Sequence, residues 1–138
     1  MVNRNIITQR MEKIDYHFKR VMLYHRFSLG EYQNDLTAQD VVEYNLFQTV
    51  NHFIDMMQHV VSDEGYGFPQ TAYESAEILK KQKIFSQRDL AIIRQMIGFR
   101  NVIGHEYIDI DKRIVYEILT KRLNDIQRMV AKLARRFL

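Results

Sequence analysis

The sequence predicts an all-α fold, an antiparallel bundle of four long helices plus one short helix. Apolar residues recur at steps of three and four residues along most of the chain, which is the spacing of one face of an α-helix. One proline and five glycines among 138 residues leave few places where a helix must end. With 46% hydrophobic and 27% charged residues, the chain suits one globular domain spanning residues 1–138.

The first two helices follow from apolar spacing and from their end signals. The first is predicted over residues 6–27, and Ser28-Leu29-Gly30 is expected to end it. The second is expected to begin at Thr37, because Asp40 three residues later completes a sequence that resembles a capping box. Its apolar face predicts an end near residue 62.

Two further capping signals start the next helices. Thr71 followed by Glu74 opens the short helix, which is expected to end near residue 81 and to cross the bundle. Ser86 followed by Asp89 starts the fourth helix. The last helix is predicted over residues 112–136, where apolar residues form nearly a heptad seam.

The fourth helix carries two apolar stripes. The first consists of Leu90, Ile93 and Ile97, and the second of Ile92, Met96, Phe99 and Ile103. Two stripes indicate burial on more than one side, as in a helix that packs in its own bundle and against a second subunit. We therefore predict a homodimer.

The candidate site is the run Arg100-Asn101-Val102-Ile103-Gly104-His105-Glu106-Tyr107 at the end of this helix. An arginine can stabilise charge on a phosphoryl group, and a histidine can carry a proton near neutral pH. Residues five apart on an unbroken helix lie about 140° apart around its axis. We therefore expect the helix to stop at Gly104, so that His105 folds back toward Arg100 and Tyr107 lies on the same side as His105.

Judged by their spacing alone, these residues could also have a purely structural role. Arg100 suits the last turn of a helix, Gly104 suits its end, and a histidine just beyond can bond to free carbonyls. Tyr107 would then be a capping aromatic residue.

The motif resembles the signature of the HEPN superfamily, and in particular of the HepT toxins of HepT/MntA type toxin–antitoxin systems. These proteins carry Arg-X4-His-X-Tyr at the end of their penultimate long helix, and the length and helical pattern of this chain match theirs. The resemblance implies a homodimeric, metal-independent endoribonuclease without a cofactor, in which Arg100 and His105 are catalytic and Asn101 supports the site. It also implies that a nucleotidyltransferase antitoxin, similar to MntA, silences the toxin by adding AMP to Tyr107.

The same residue types can cleave RNA on chemical grounds. A ribose 2′-hydroxyl attacks the neighbouring phosphate when a base takes its proton, and His105 could act as base or acid while Arg100 neutralises charge on the nonbridging oxygens. One histidine per chain cannot easily fill both roles. A dimer supplies two, which favours a site at a two-fold interface. The need for a 2′-hydroxyl would restrict the reaction to RNA.

The charges are unevenly distributed along the chain. Residues 31–70 contain no lysine or arginine, whereas eight basic residues after residue 111 face only Glu117 and Asp125. One side could attract RNA phosphates and the other could present an acidic surface to a basic partner. A solvated helix face is the alternative interpretation.

Composition excludes several classes of protein. Without cysteine, neither disulfides nor thiolate chemistry are available, and no glycine-rich phosphate loop or serine-hydrolase motif occurs. No apolar run has the length of a membrane span or a signal peptide, so we expect a cytoplasmic protein without a membrane partner.

Two alternatives to the ribonuclease remain. His52, Asp55 and His59 share one helix face and could form part of a metal site, although the paired pattern of di-iron bundles is missing and no metal is expected. The chain could also be a noncatalytic HEPN-like helical module that binds RNA, nucleotide or a nucleotidyltransferase.

Overall fold

The computed structural model describes residues 2–106 and 110–138, with the backbone alone for residues 105 and 106. Every regular element in this part of the chain is helical, and four long helices form the bundle. The elements are α1 (Arg4–Met22), α2 (Leu29–Gln33), α3 (Leu36–Asp63), α4 (Ala72–Lys81), α5 (Gln87–Glu106), α6 (Lys112–Glu117), a π-helical turn (Ile118–Arg122) and α7 (Leu123–Phe137). The predicted all-α bundle is confirmed, with α2 as an additional short helix.

Helix α3 is the centre of the bundle. It packs along α1 and also contacts α4, α5 and α7. Its side chains Leu46, Phe53, Met56 and Met57 are fully buried. Because burying each such side chain stabilises the fold by about 1.5–3 kcal/mol, this helix fixes the positions of its neighbours on both sides. The polar side chains of α3 that face its neighbours are therefore held in fixed positions relative to those helices.

The first helix ends five residues earlier than predicted, at Met22. The ring nitrogen Nδ1 of His25 donates to the Met22 carbonyl at 2.7 Å and so satisfies a carbonyl that has no partner within the helix. Ser28 then starts α2 instead of ending α1, since its hydroxyl accepts from the Glu31 amide and the Glu31 carboxylate accepts from the Ser28 amide. The prediction of a plain helix end at residues 28–30 is wrong.

The second predicted helix also begins at a different cap. Asp35, not Thr37, is the N-cap of α3, and its Oδ1 accepts from the Ala38 amide at 2.9 Å. Aspartate and threonine both favour the N-cap position, and the predicted start at Thr37 is wrong by two residues. The helix ends at Asp63, close to the predicted end.

The two later capping signals are present. Thr71 Oγ1 accepts from the Glu74 amide at 3.1 Å, while the Glu74 carboxylate accepts from the Gln70 amide. At α5 both halves of the box form, because Ser86 Oγ accepts from the Asp89 amide and Asp89 Oδ2 accepts from the Ser86 amide. These signals work because each connects residues only three or four positions apart.

The final helix covers the predicted range, with the π-helical turn inserted in it. The predicted seam is buried throughout, at Val115, Leu119, Leu123, Ile126, Val130 and Leu133. A π-helical turn adds a residue to the helix and is often found near functional sites. Here it borders the apolar groove described below.

Two buried carboxylates attach this helix to the bundle. Lys112 Nζ lies 2.8 and 3.0 Å from the carboxylate oxygens of Glu43, which also accepts from the Tyr32 hydroxyl at 3.3 Å. Lys132 Nζ lies 2.6 Å from Asp89 Oδ2. Two of the eight basic residues of this segment are therefore paired with buried carboxylates, which reduces the unpaired basic charge that the sequence led us to expect.

Candidate active site

Arg100 is held between α5 and α3 by two amide oxygens. Its Nε donates to Asn101 Oδ1 at 2.9 Å, and its Nη1 donates to Asn51 Oδ1 at 3.2 Å. Among the side chains that the structure describes, no carboxylate forms an ion pair with it. Both partners that the structure describes for Arg100 are neutral amides. Since a guanidinium has five N–H groups, these two contacts leave further donors for an anion.

Asn51 was not identified from the sequence. It lies 49 residues before Arg100, and only the packing of α5 on α3 brings the two together. No local pattern around Asn51 indicates a functional role, because asparagine residues on helices are mostly exposed to solvent. In contrast, Asn101 was named from the sequence, and its Oδ1 accepts from the Nε of the preceding Arg100.

The backbone at Gly104 differs from the prediction. Helix α5 continues through Gly104 and His105 to Glu106, so the predicted helix end at Gly104 is wrong. A Cβ at Gly104 would lie 3.4 Å from the Phe47 ring, so the glycine lies against α3 instead of in a left-handed turn. Positions 100 and 105 are therefore about 140° apart around one helix. The fold-back that would bring His105 to Arg100 within one chain does not occur.

The remaining motif residues are described less completely. His105 belongs to α5 by its backbone, and its side chain lies outside the described part of the structure. The predicted modification residue Tyr107 lies wholly outside the described residues. The structure thus brings Arg100, Asn101 and Asn51 together and places His105 on the same helix as the first two.

The alternative metal site is occupied by an arginine side chain. Arg10 Nη1 donates to His52 Nδ1 at 3.3 Å, and Arg10 Nη2 lies 3.7 Å from Asp55 Oδ2. Burial, followed by the charge of Arg10, lowers the pKa of His52 below its usual value. Within residues 2–106 and 110–138, no group of three candidate ligands is arranged to hold a metal ion.

An apolar groove of about 390 Å³ runs along the other side of α5, between α3 and the final helix. Its lining includes the exposed side chains Val102 and Ile114 and the half-buried Phe99. The second predicted stripe of α5 contributes here, since Ile92, Met96 and Phe99 line the groove. The stripe is therefore only partly covered by the chain's own bundle.

None of the helices in the described part of the chain is both long and apolar enough to cross a membrane.

Two sequence relatives are nucleases. The mRNA nuclease HepT of Shewanella oneidensis is 26% identical over 101 residues, which cover 73% of this chain and 76% of that protein. The tRNA nuclease HepT of Aphanizomenon flos-aquae is 29% identical over 111 residues, which cover 80% of this chain and 76% of that protein.

Solved structures share the fold. A crystal structure of a toxin–antitoxin with AMP-PNP superposes with a TM-score of 0.84 at 25% identity, covering 93% of this chain and 96% of that one. A tri-AMPylated HEPN toxin of Shewanella oneidensis in complex with MNT antitoxin superposes with a TM-score of 0.83 at 24% identity, covering 92% and 95% of the two chains.

The family model described as Ribonuclease HepT-like matches residues 14–133, a range that includes all of α3 and α5 and the Arg100–His105 motif. The chain therefore belongs to the HepT-like ribonuclease family.

Proposed function

We propose that this chain is the toxin of a toxin–antitoxin pair, an endoribonuclease that acts in the cytoplasm as a homodimer of single HEPN-like helical domains. The observation that carries the proposal is the state of Arg100, a half-buried guanidinium aimed by two neutral amides within the family's motif. Messenger and transfer RNA are the substrate classes, as in the names of the two nuclease relatives.

The proposed reaction is an attack of the ribose 2′-hydroxyl on the adjacent phosphate. His105 of one subunit takes the hydroxyl proton, and His105 of the second subunit protonates the leaving 5′-oxygen. The products are a 2′,3′-cyclic phosphate and a free 5′-hydroxyl. Arg100 stabilises the charge on the nonbridging oxygens, and neither a metal nor another cofactor takes part.

The continuous helix α5 supports a site built from two subunits. Positions 100 and 105 point to different sides of one helix, so a single chain does not gather both groups through a local turn. The uncovered apolar groove along α5 supports dimerisation, because Val102 and Ile114 are exposed beside it. A two-fold axis near the end of α5 would bring the two motifs together.

We further propose that a nucleotidyltransferase antitoxin of the MntA kind adds AMP to Tyr107. The toxin–antitoxin structure with AMP-PNP supports a nucleotide-dependent partner for proteins of this fold. Each added phosphate would compete with RNA for the charge of Arg100. Coexpression with an active antitoxin should add the mass of AMP to the wild type and not to Tyr107→Phe. An unmodified wild type in the presence of ATP would contradict this part of the proposal.

Purified protein incubated with RNA tests the nuclease itself. The wild type should cut RNA in excess EDTA and leave cyclic phosphate ends, and His105→Ala should not cut. His59→Ala, the same substitution elsewhere on the protein, is the matched control and should retain activity. Equal cleavage by the wild type and His105→Ala would contradict the assignment.

The noncatalytic HEPN-like module remains the second candidate, favoured if the wild type binds RNA without cutting it. Expression in cells separates the two candidates. A toxin arrests growth and His105→Ala relieves the arrest, whereas a binding module gives the same growth with either protein.

A further inference from the structure

A row of aromatic rings crosses the exposed surfaces of α1 and α3. The rings of Tyr16 and His17 are 5.1 Å apart and nearly perpendicular. His17 also stacks on His52 at 5.7 Å and meets the edge of Tyr44 at 6.0 Å. Tyr16 and Tyr44 are 59% and 57% exposed. Two large rings therefore stand on one surface, with more than half of each accessible to a ligand.

Arginines stand at both ends of this row. The guanidinium of Arg20 lies 5.8 Å from the centre of the Tyr16 ring. At the other end, Arg10 donates to His52 and is partly neutralised by Asp55. Because arginine can only donate, His52 Nδ1 must accept the hydrogen bond from Arg10, so the His52 ring is neutral. The row therefore presents an uncharged ring between the two arginines at its ends.

The position of the His17 ring is held by further contacts. His17 Nδ1 donates to Asn45 Oδ1 at 2.8 Å, and Asn45 Nδ2 donates to the Val41 carbonyl at 2.7 Å, which fixes the orientation of the amide. The His17 ring therefore forms a rigid support for Tyr16 and Tyr44. A preorganised surface of this kind loses little conformational entropy when it binds a ligand.

The row and the proposed cleavage site involve neighbouring positions of α3. His52 follows Asn51 in the chain, and Asn51 is the residue on α3 that holds Arg100. Tyr44 lies seven residues before Asn51, about 10 Å along the helix. A strand whose phosphate is bound by Arg100 can therefore continue over the exposed side of α3.

We propose that this surface binds the single-stranded RNA that flanks the scissile phosphate. We call it the α1–α3 aromatic face, formed by Arg10, Tyr16, His17, Arg20, Tyr44 and His52. Bases stack on Tyr16 and Tyr44, and the two arginines contact the backbone phosphates. Duplex RNA cannot use this face in the same way, since its bases are already stacked. The inference rests on the proposed ribonuclease function and states how its substrate is held.

Binding of an uncleavable RNA tests the inference. A labelled single-stranded RNA with 2′-O-methyl groups at every position lacks the attacking hydroxyl, and its affinity can be measured by fluorescence anisotropy. Tyr16→Ala and Tyr44→Ala should each weaken binding by about ten-fold, whereas Tyr44→Phe keeps the ring and the affinity. Phe68→Ala removes another exposed ring outside this face and is the control that should bind like the wild type.

Three results would overturn the inference. The first is wild-type affinity for single-stranded RNA in both alanine variants. The second is an equal loss of affinity for a duplex of the same sequence. The third is a wild-type dimer that becomes a monomer in the alanine variants, as measured by light scattering, because the face would then be a subunit interface. If Tyr44→Ala is unstable by circular dichroism, Tyr44→Leu keeps apolar bulk without an aromatic ring and should also bind weakly.

The same measurements separate this inference from the proposed function. A wild-type protein that neither binds nor cuts RNA would contradict both. A wild-type protein that cuts RNA while the tyrosine variants bind it equally well would contradict the aromatic face alone.

Discussion

Replacing Asn51 with Asp should make the protein slightly more stable and much less active. Arg100 Nη1 donates to Asn51 Oδ1 at 3.2 Å, so a carboxylate at this position would form an ion pair with the guanidinium. The substitution keeps the shape of the side chain and adds one negative charge. The new charge competes with the RNA phosphate for Arg100, which lowers the stabilisation of the transition state.

The size of the effect follows from the separation of the charges. Two unit charges about 4 Å apart interact by about 1 kcal/mol in water and about 4 kcal/mol at an effective dielectric constant of 20. Arg100 is half-buried, so we take a value between these limits. A loss of about 2 kcal/mol lowers kcat/KM by roughly 30-fold. The same ion pair should raise the free energy of unfolding by up to about 1 kcal/mol.

Cleavage of a fluorogenic RNA gives kcat/KM, and urea unfolding gives the stability of the same preparations. Gln58→Glu adds the same charge two turns further along α3 and is the matched control, with activity close to that of the wild type. Asn51→Ala removes the hydrogen bond without adding charge, so its activity should lie between the wild type and Asn51→Asp. Wild-type kcat/KM in Asn51→Asp, or an equal loss in Gln58→Glu, would refute the reasoning.

Three further predictions concern stability. Gly104→Ala should raise the free energy of unfolding by roughly 0.5–1 kcal/mol, because Gly104 lies inside a helix and a Cβ would meet Phe47 at an ordinary contact distance; destabilisation in urea would contradict this. Lys112→Met should lower the free energy of unfolding by about 3 kcal/mol, since the substitution leaves the Glu43 carboxylate buried without its cation. A change below about 1 kcal/mol would show that solvent replaces the lysine. Burial alone would raise the pKa of Asp89, but its hydrogen bonds outweigh burial and lower the pKa. The ionised Asp89 therefore contributes to the free energy of unfolding above the unfolded-state pKa. This contribution is lost as the pH falls through the lower folded-state pKa. Unfolding measured from about pH 5 downward should therefore depend less on pH in Asp89→Asn than in the wild type.

The fold was predictable where the signals are local. Steps of three and four residues located the long helices, and the Ser86–Asp89 box started α5 where expected. The errors lie at helix ends, where neighbouring residues offer competing caps. Gly104 was expected to end α5, but the helix continues to Glu106. At α3, Asp35 and not Thr37 is the cap.

The site was predictable only along one helix. Arg100 and Asn101 are neighbours in sequence, so their association could be inferred. Asn51 comes from a distant part of α3, and its role depends on how two helices pack. The α1–α3 aromatic face also depends on how two helices pack. Spacing along α3 grouped His52 with Asp55 and His59 as possible metal ligands. It gave no indication that Arg10 of α1 would contact His52 and Asp55.

A heterodimer with one His105→Ala subunit tests the central claim most directly. The two subunits can carry different tags, and the mixed dimer can be isolated by two affinity steps before its RNA cleavage rate is measured. If one histidine is the base and the other the acid of a shared site, loss of either should leave no more than about 1% of wild-type activity. Retention of about half the activity would mean that each subunit cuts RNA independently, and would contradict a composite site.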